Sequence, residues 1–129
     1  MEEKRNFYKA VEDICGKDSR YKPDAYEFVL QALYFTQKKL KKETHLTGKE
    51  LLEGIRELII EKYGVMSKTV LKHWGIFKTE DFGNIVFNMV DNRIFSKTEK
   101  DSIDDFKDVY DFDSVFGKNI LRDNIIKGN

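Results

Sequence analysis

The chain has 129 residues, a length that fits one compact domain with a real hydrophobic core. Its 23 basic and 23 acidic side chains balance, which argues against an obligate nucleic-acid binder, because such proteins usually carry an excess of Lys and Arg. The single cysteine, Cys15, excludes an internal disulfide and any cysteine-rich zinc site. The start of the chain leads into no apolar signal core and no apolar run reaches membrane-spanning length, so the sequence predicts a cytoplasmic protein without a membrane span.

Residues 3–42 predict two helices. The first runs from Glu3 to Cys15, with its apolar residues on one face and Gly16 as its stop. The second runs from Pro23 to Lys41 and follows the helical period closely, with Pro23 in the first turn, where its missing N–H costs nothing. Its broad apolar stripe predicts the central helix of the fold.

A run of lysines closes this second helix, at residues 38–42. Cations at a helix C-terminus are favoured by the helix dipole, so a solvated helix end is one interpretation. A phosphate-binding patch is the other. We favour the helix end, since such a bias is common.

Residues 46–75 predict a long helix followed by a short one. The sequence Thr47-Gly-Lys-Glu50 matches the capping box and starts a helix that ends at Gly64. Ser67 then caps a short helix that stops at Gly75.

Residues 79–126 predict the second half of a winged helix. Thr79 caps a helix that reaches Asn92, and residues 93–97 resemble an edge strand. Residues 106–112 would return as the partner strand of a small β-hairpin, with 99–105 as the wing loop; a short helix at 102–106 is the alternative. A last helix is predicted at about 114–126, docking on the core.

The helix at 79–92 would enter the major groove of DNA in a winged helix. Its outward positions hold carboxylates and amides, namely Glu80, Asp81, Asn84, Asn88, Asp91 and Asn92. Asn84 and Asn88 could read adenine edges, but three carboxylates would repel the phosphates. A useful DNA site needs about 6–10 phosphate contacts. The residues at 99–116 add seven carboxylates against two lysines, so DNA binding is disfavoured.

No catalytic, metal or cofactor site is predicted. Cys15 falls on an apolar helix face, and neither His45 nor His73 has the partners of a triad in its surroundings. The acidic block lacks the oxygen pattern and turn glycine of a calcium loop, and the scattered glycines form no phosphate cradle. Gly54 and Gly83 lie inside helices, where glycine costs about 1 kcal/mol, which indicates close backbone approach.

Partner binding is what this elimination leaves. Trp74 and Phe77 lie near one turn, and Phe87 lies on the helix that follows, which is more aromatic surface than a small fold fully buries. Arg93 comes directly after that helix. These four residues are the candidate partner contacts. For Trp74 the competing interpretation is that it completes the core.

Several runs resemble a family of small, uncharacterised bacterial proteins. They are residues 21–29, 45–56, 70–76, 79–87 and 106–112, which together cover most of the chain from residue 7 to residue 116. The resemblance implies a stand-alone, cytoplasmic bacterial domain. It implies no activity, cofactor or catalytic residue, since none is assigned to the family.

The sequence therefore predicts a single, mainly α domain with some β structure. It would comprise N-terminal helices at 3–42, a winged-helix-like part at 46–112 with its β-hairpin, and the C-terminal helix. The predicted function is a non-enzymatic adaptor or regulatory module that binds another protein. A winged-helix DNA- or RNA-binding protein is the alternative.

Overall fold

The computed structural model describes residues 2–42, 46–94 and 103–117. Within these ranges every regular element is a helix: α1 (Glu2–Lys17), α2 (Pro23–Leu40), α3 (Gly48–Tyr63), α4 (Ser67–His73), α5 (Thr79–Asp91) and α6 (Phe112–Phe116), with two 3-10 turns at Gly64–Met66 and Ile103–Phe106. The predicted mainly helical character is therefore correct for the described part of the chain.

The predicted β-hairpin is wrong. Arg93 adopts a left-handed φ of 62° and the N–H of Ile94 bonds to the carbonyl of Met89 at 2.8 Å, so this stretch closes the end of α5 instead of extending as a strand. Residues 95–102, which would hold the rest of the first strand and most of the wing loop, lie outside the described residues.

The segment predicted as the returning strand is also helical or turned. Ile103–Phe106 forms a 3-10 turn, which agrees with the alternative of a short helix, and Phe112 is already the first residue of α6. Phe106 and Phe112 are both buried, so the segment packs its aromatic rings against the helices and does not pair with another segment as a β-strand. Of the predicted C-terminal helix, residues up to Phe116 are helical, and residues 118–126 lie outside the described residues.

Helix α2 is central to the core, as its broad apolar stripe predicted. It buries side chains around much of its circumference, and it contacts α1, α3 and α5. Its buried residues are Ala25, Tyr26, Phe28, Val29, Ala32 and Thr36. One continuous group of buried side chains joins α2 to the remaining helices.

Helix α3 begins as the sequence predicts. Thr47 Oγ1 accepts a hydrogen bond from the N–H of Glu50 at 3.1 Å, and Glu50 Oε1 accepts one from the N–H of Thr47 at 2.9 Å. Helix α5 begins differently: Thr79 is its first residue, and the carboxylate of Asp81 accepts from the N–H groups of Phe77 and Lys78. Both helix starts are thus fixed by side-chain acceptors.

Candidate functional site

The outer face of α5 is covered by the loop between α1 and α2. Tyr21 of that loop donates a hydrogen bond from its hydroxyl to Asp81 Oδ1 at 2.7 Å, and the hydroxyl accepts one from Asn84 Nδ2 at 2.9 Å. Tyr21 and Asp81 are both buried. Two of the positions that the sequence placed on the DNA-reading face therefore point into the protein.

A second contact ties the same loop to the next turn of α5. Asn88 Nδ2 donates to Asp18 Oδ2 at 3.0 Å and to the hydroxyl of Tyr26 at 3.1 Å. Asp18 in turn accepts from the backbone and the guanidinium of Arg20. The face of α5 through which a helix-turn-helix reads bases is closed at Asn84 and at Asn88.

The loop also sits on the turn between α4 and α5. The N–H of Lys22 donates to the carbonyl of Trp74 at 3.1 Å. Gly75 has a φ of 90°, and a Cβ built there would lie 2.1 Å from the carbonyl oxygen of Arg20. Only glycine fits this turn, both for its backbone angle and for the close approach of the loop.

The ionisation of this network suits a structural role. The hydrogen bonds from Arg20 hold the pKa of Asp18 well below its usual range, while burial raises the pKa of Tyr21 and of Tyr26. At neutral pH the carboxylate is therefore charged and both phenols are neutral, as their hydrogen bonds require. Spacing along the sequence could not predict these contacts, because Tyr21 and Asp81 are 60 residues apart and Asp18 and Asn88 are 70 residues apart.

The four candidate contact residues lie in different environments. Trp74 is only 6% exposed, with its ring centroid 5.5 Å from that of Phe28, so it forms part of the core. Phe87 is half-buried. Phe77 is 61% exposed, and Arg93 is exposed. The structure does not bring the four together: Phe77 and Arg93 line two separate grooves.

The larger groove, with a volume of about 650 Å³, lies between α1, α2 and the end of α5, and we call it the tyrosine groove. Tyr34 and Tyr8 are 60% and 44% exposed, and Phe7 and Leu30 are half-buried apolar lining residues. Its lining residues are Asn6, Phe7, Tyr8, Ala10, Glu27, Leu30, Gln31, Tyr34, Asn92, Arg93 and Ile94.

Polar groups at the tyrosine groove are positioned by neighbours. The hydroxyl of Tyr8 donates to Glu27 Oε1 at 3.3 Å, and Lys62 of α3 donates to Gln31 Oε1 at 2.8 Å. Among the described lining residues Glu27 and Arg93 are the two charged ones, so the lining side chains carry no net charge. The groove offers aromatic surface and hydrogen-bonding groups.

The smaller groove, with a volume of about 350 Å³, lies beside the turn that precedes α5, and we call it the Phe77 groove. Segment 108–113 forms its other side. Its lining residues are Lys68, Phe77, Lys78, Glu80, Asp108, Tyr110, Asp111, Phe112 and Asp113.

The other residues considered for chemistry have structural surroundings. The thiol of Cys15 donates to the carbonyl of Tyr21 at 3.7 Å, and burial raises its pKa, so it is a poor nucleophile at neutral pH. His73 is exposed at the end of α4, and His45 lies outside the described residues. No group of three or more metal-ligating side chains occurs in the ranges that the structure covers.

Two lysines of the run at residues 38–42 pair with carboxylates of α3. Lys39 pairs with Glu57, and Lys42 pairs with Glu50 at 2.7 Å. Within residues 2–42, 46–94 and 103–117 no helix is long and apolar enough to cross a bilayer.

Comparison with known proteins relates the chain to a foldase. It is 31% identical over 107 residues to foldase protein PrsA 2 of Bacillus cereus, a match that covers 81% of this chain and 33% of the foldase. The chain thus spans about a third of the length of that relative. No family model and no solved structure matches the chain, so the resemblance to a family of small bacterial proteins stays a prediction.

Proposed function

We propose that the chain is a non-enzymatic, cytoplasmic protein-binding module that holds an extended polypeptide segment of another protein in the tyrosine groove. Tyr34 and Tyr8 would contact the segment with their rings, and Arg93 would donate hydrogen bonds to its carbonyl or carboxylate oxygens. The apolar side chains of Phe7 and Leu30 would form the floor.

The observation that carries the proposal is the combination of two exposed tyrosines and an arginine around one groove. Tyr and Arg are enriched at protein interfaces, and they dominate the residues whose truncation costs most binding energy. Tyrosine gives a large contact area for few rotatable bonds, so little entropy is lost when it is fixed. The contact from Tyr8 to Glu27 holds one of the two rings in place before a partner arrives.

The relation to a foldase supports the same class of partner. A foldase assists the folding of other proteins, so it must contact polypeptide chains. The match covers 81% of this chain. A neutral groove suits partners of varied sequence, because it repels neither acidic nor basic segments.

Nucleic-acid binding, the alternative, is less well supported. Asn84 and Asn88, which would read base edges, are engaged by Tyr21 and Asp18. A duplex would have to displace the loop between α1 and α2 before it reached either amide. The cost of breaking these partly buried hydrogen bonds counts against such a mode.

Binding to a chain that cannot fold tests the proposal. The probe is fluorescein-labelled, reduced and carboxymethylated α-lactalbumin, and the measurement is fluorescence anisotropy as the wild-type chain is added. We expect saturable binding, and we expect Tyr34→Ala to weaken it about fivefold or more, since tyrosine is among the residue types whose truncation costs most at interfaces. Arg93→Ala should weaken it in the same direction.

Met66→Ala is the matched control, because Met66 is an exposed apolar side chain that lines neither groove, and its loss should leave the affinity unchanged. Absence of binding, or equal losses for Tyr34→Ala and Met66→Ala, would refute the proposal. Its non-enzymatic part is tested separately: substoichiometric amounts of the chain should leave the refolding rate of a slowly folding test protein unchanged. A catalysed rate would show that the chain acts as an enzyme.

A further inference from the structure

Phe77 is exposed on a backbone that is held in place. Its N–H donates to Asp81 Oδ2 at 2.8 Å, and the N–H of Lys78 donates to the same oxygen at 3.1 Å. The preceding residue, Ile76, is fully buried. The turn is therefore anchored on both sides of Phe77, and its ring is presented to solvent from a fixed position, where contact with an apolar group would remove surface from water.

The opposite side of the Phe77 groove is equally well supported. Phe112 is buried, and its ring centroid is 6.2 Å from that of Tyr110. The hydroxyl of Tyr110 donates to the carbonyl of Leu52 at 2.8 Å, which fixes that ring against α3. The groove is thus lined by aromatic rings that do not need to be ordered when a ligand binds.

The rim of the groove is acidic. Its described lining residues include four carboxylates and two lysines. Of the two lysines, Lys68 is already paired with Asp113. Glu80, Asp108 and Asp111 thus oppose Lys78 alone among the lining residues. A polyanion is repelled by this rim, whereas a cationic group gains from it.

We propose that the Phe77 groove is a second docking site, for a polypeptide segment that carries several Lys or Arg residues around one apolar side chain. The apolar side chain packs on the ring of Phe77, and the cationic groups reach the carboxylates of Asp108 and its neighbours. This site is separate from the tyrosine groove, and it selects its partner by charge, which the neutral tyrosine groove does not.

The test uses a fluorescein-labelled peptide, Gly-Lys-Arg-Leu-Arg-Lys-Gly, and two matched peptides. One has Glu in place of each cationic residue, and the other has Gly in place of Leu. We expect the first to bind and its affinity to fall with added salt, whereas the acidic peptide and the peptide without Leu should both bind more weakly. Phe77→Ala should weaken the first peptide about fivefold or more.

Two further variants separate the charge of this rim from the charge of the whole chain. Asp108→Asn keeps a residue that tolerates the left-handed backbone found there, with a φ of 48°, and should weaken binding and flatten its salt dependence. Glu61→Gln makes the same change of charge on an exposed position of α3 outside the groove, and should have no effect. Equal effects of these two variants, or equal binding of the cationic and acidic peptides, would overturn the proposal.

Tyr34→Ala distinguishes this site from the tyrosine groove. It should leave the affinity for the cationic peptide unchanged while it weakens binding of the unfolded chain. Loss of cationic-peptide binding in Tyr34→Ala but not in Phe77→Ala would place the peptide in the tyrosine groove and refute the second site.

Discussion

Asp18 is the charged residue that ties the loop after α1 to the face of α5. Its carboxylate accepts hydrogen bonds from Arg20 and from Asn88, and its side chain retains only 21% of its exposure. These bonds favour the ionised form, so the pKa of Asp18 in the folded protein lies well below its usual range. A group with a lowered pKa contributes stability that depends on pH.

Asp18→Asn should therefore destabilise the protein at neutral pH, by about 1–2 kcal/mol, because a neutral amide is a weaker acceptor than a carboxylate. The unfolded chain titrates this group at about pH 3.9. The contribution of Asp18 is fully present above that pH and is lost as the pH falls toward the lower pKa of the folded state. Urea unfolding at pH 7 and at pH 3 measures the difference between variant and wild type.

The difference in unfolding free energy should shrink at pH 3. Lys17→Ala is a suitable control, since it changes an exposed charge in the neighbouring position and should show no such convergence. A constant difference at both pH values would mean that the charge of Asp18 is not what stabilises the loop.

At the scale of residues the sequence predicted local contacts and missed distant ones. The capping box at Thr47 follows from spacing alone, since both partners lie within four residues. The role of Asn88 could not follow from spacing, because Asp18 is 70 residues away and an amide on a polar face looks solvated. The exposure of Phe77 follows from its place beside a turn, where an aromatic residue is hard to bury. Its role as a partner contact stays a prediction.

At the scale of elements, the crossing of α2 and α3 depends on Gly54. A Cβ built at this position would lie 1.6 Å from Thr36 Oγ1, and Thr36 is itself buried with its hydroxyl bonded to the carbonyl of Ala32. The sequence predicted a close backbone approach at Gly54 and at Gly83. The two glycines serve different contacts, however, because Gly83 of α5 faces Phe106.

Gly54→Ala should destabilise the protein by about 1–3 kcal/mol through overpacking, although alanine is the better helix former. Gly16→Ala is the matched control, because Gly16 lies in α1 with no neighbour within 4 Å of the place that a methyl group would take. There the change should be neutral or stabilising by up to about 1 kcal/mol. Thermal unfolding of both variants measures the contrast, and a loss of stability at both positions would contradict the close crossing of α2 and α3.

A long apolar period made the longest helices of the core predictable from the sequence. Helices α2 and α3 keep that period over four turns or more, so few alternatives compete with them. Residues 106–112 are too short to distinguish alternation from irregular packing. Their rings bury against α3, α5 and α6, and tertiary contacts of this kind override a local strand preference.

At the scale of the whole molecule, the densest run of lysines in the sequence does not form an open cationic surface. Two of its four lysines, Lys39 and Lys42, pair with carboxylates of α3. The Phe77 groove is acidic, and the tyrosine groove is neutral. Exposed ion pairs contribute little to stability, so this pairing mainly affects which charged partners the surface attracts.

The chain should therefore not bind a random DNA duplex, even at low salt. A site worth micromolar affinity commonly needs about 6–10 phosphate contacts, and its affinity falls steeply as salt is added. Titration of a fluorescein-labelled duplex at two salt concentrations measures both properties. Asp91→Lys, which reverses one exposed charge on α5, should still give no binding, because a single added cation supplies only one phosphate contact. The amides of Asn84 and Asn88 also stay hydrogen-bonded to Tyr21 and Asp18 in this variant. Salt-dependent micromolar binding by the wild-type chain would show that lysines leave their carboxylate partners to bind phosphates. It would favour the nucleic-acid alternative over the polypeptide one.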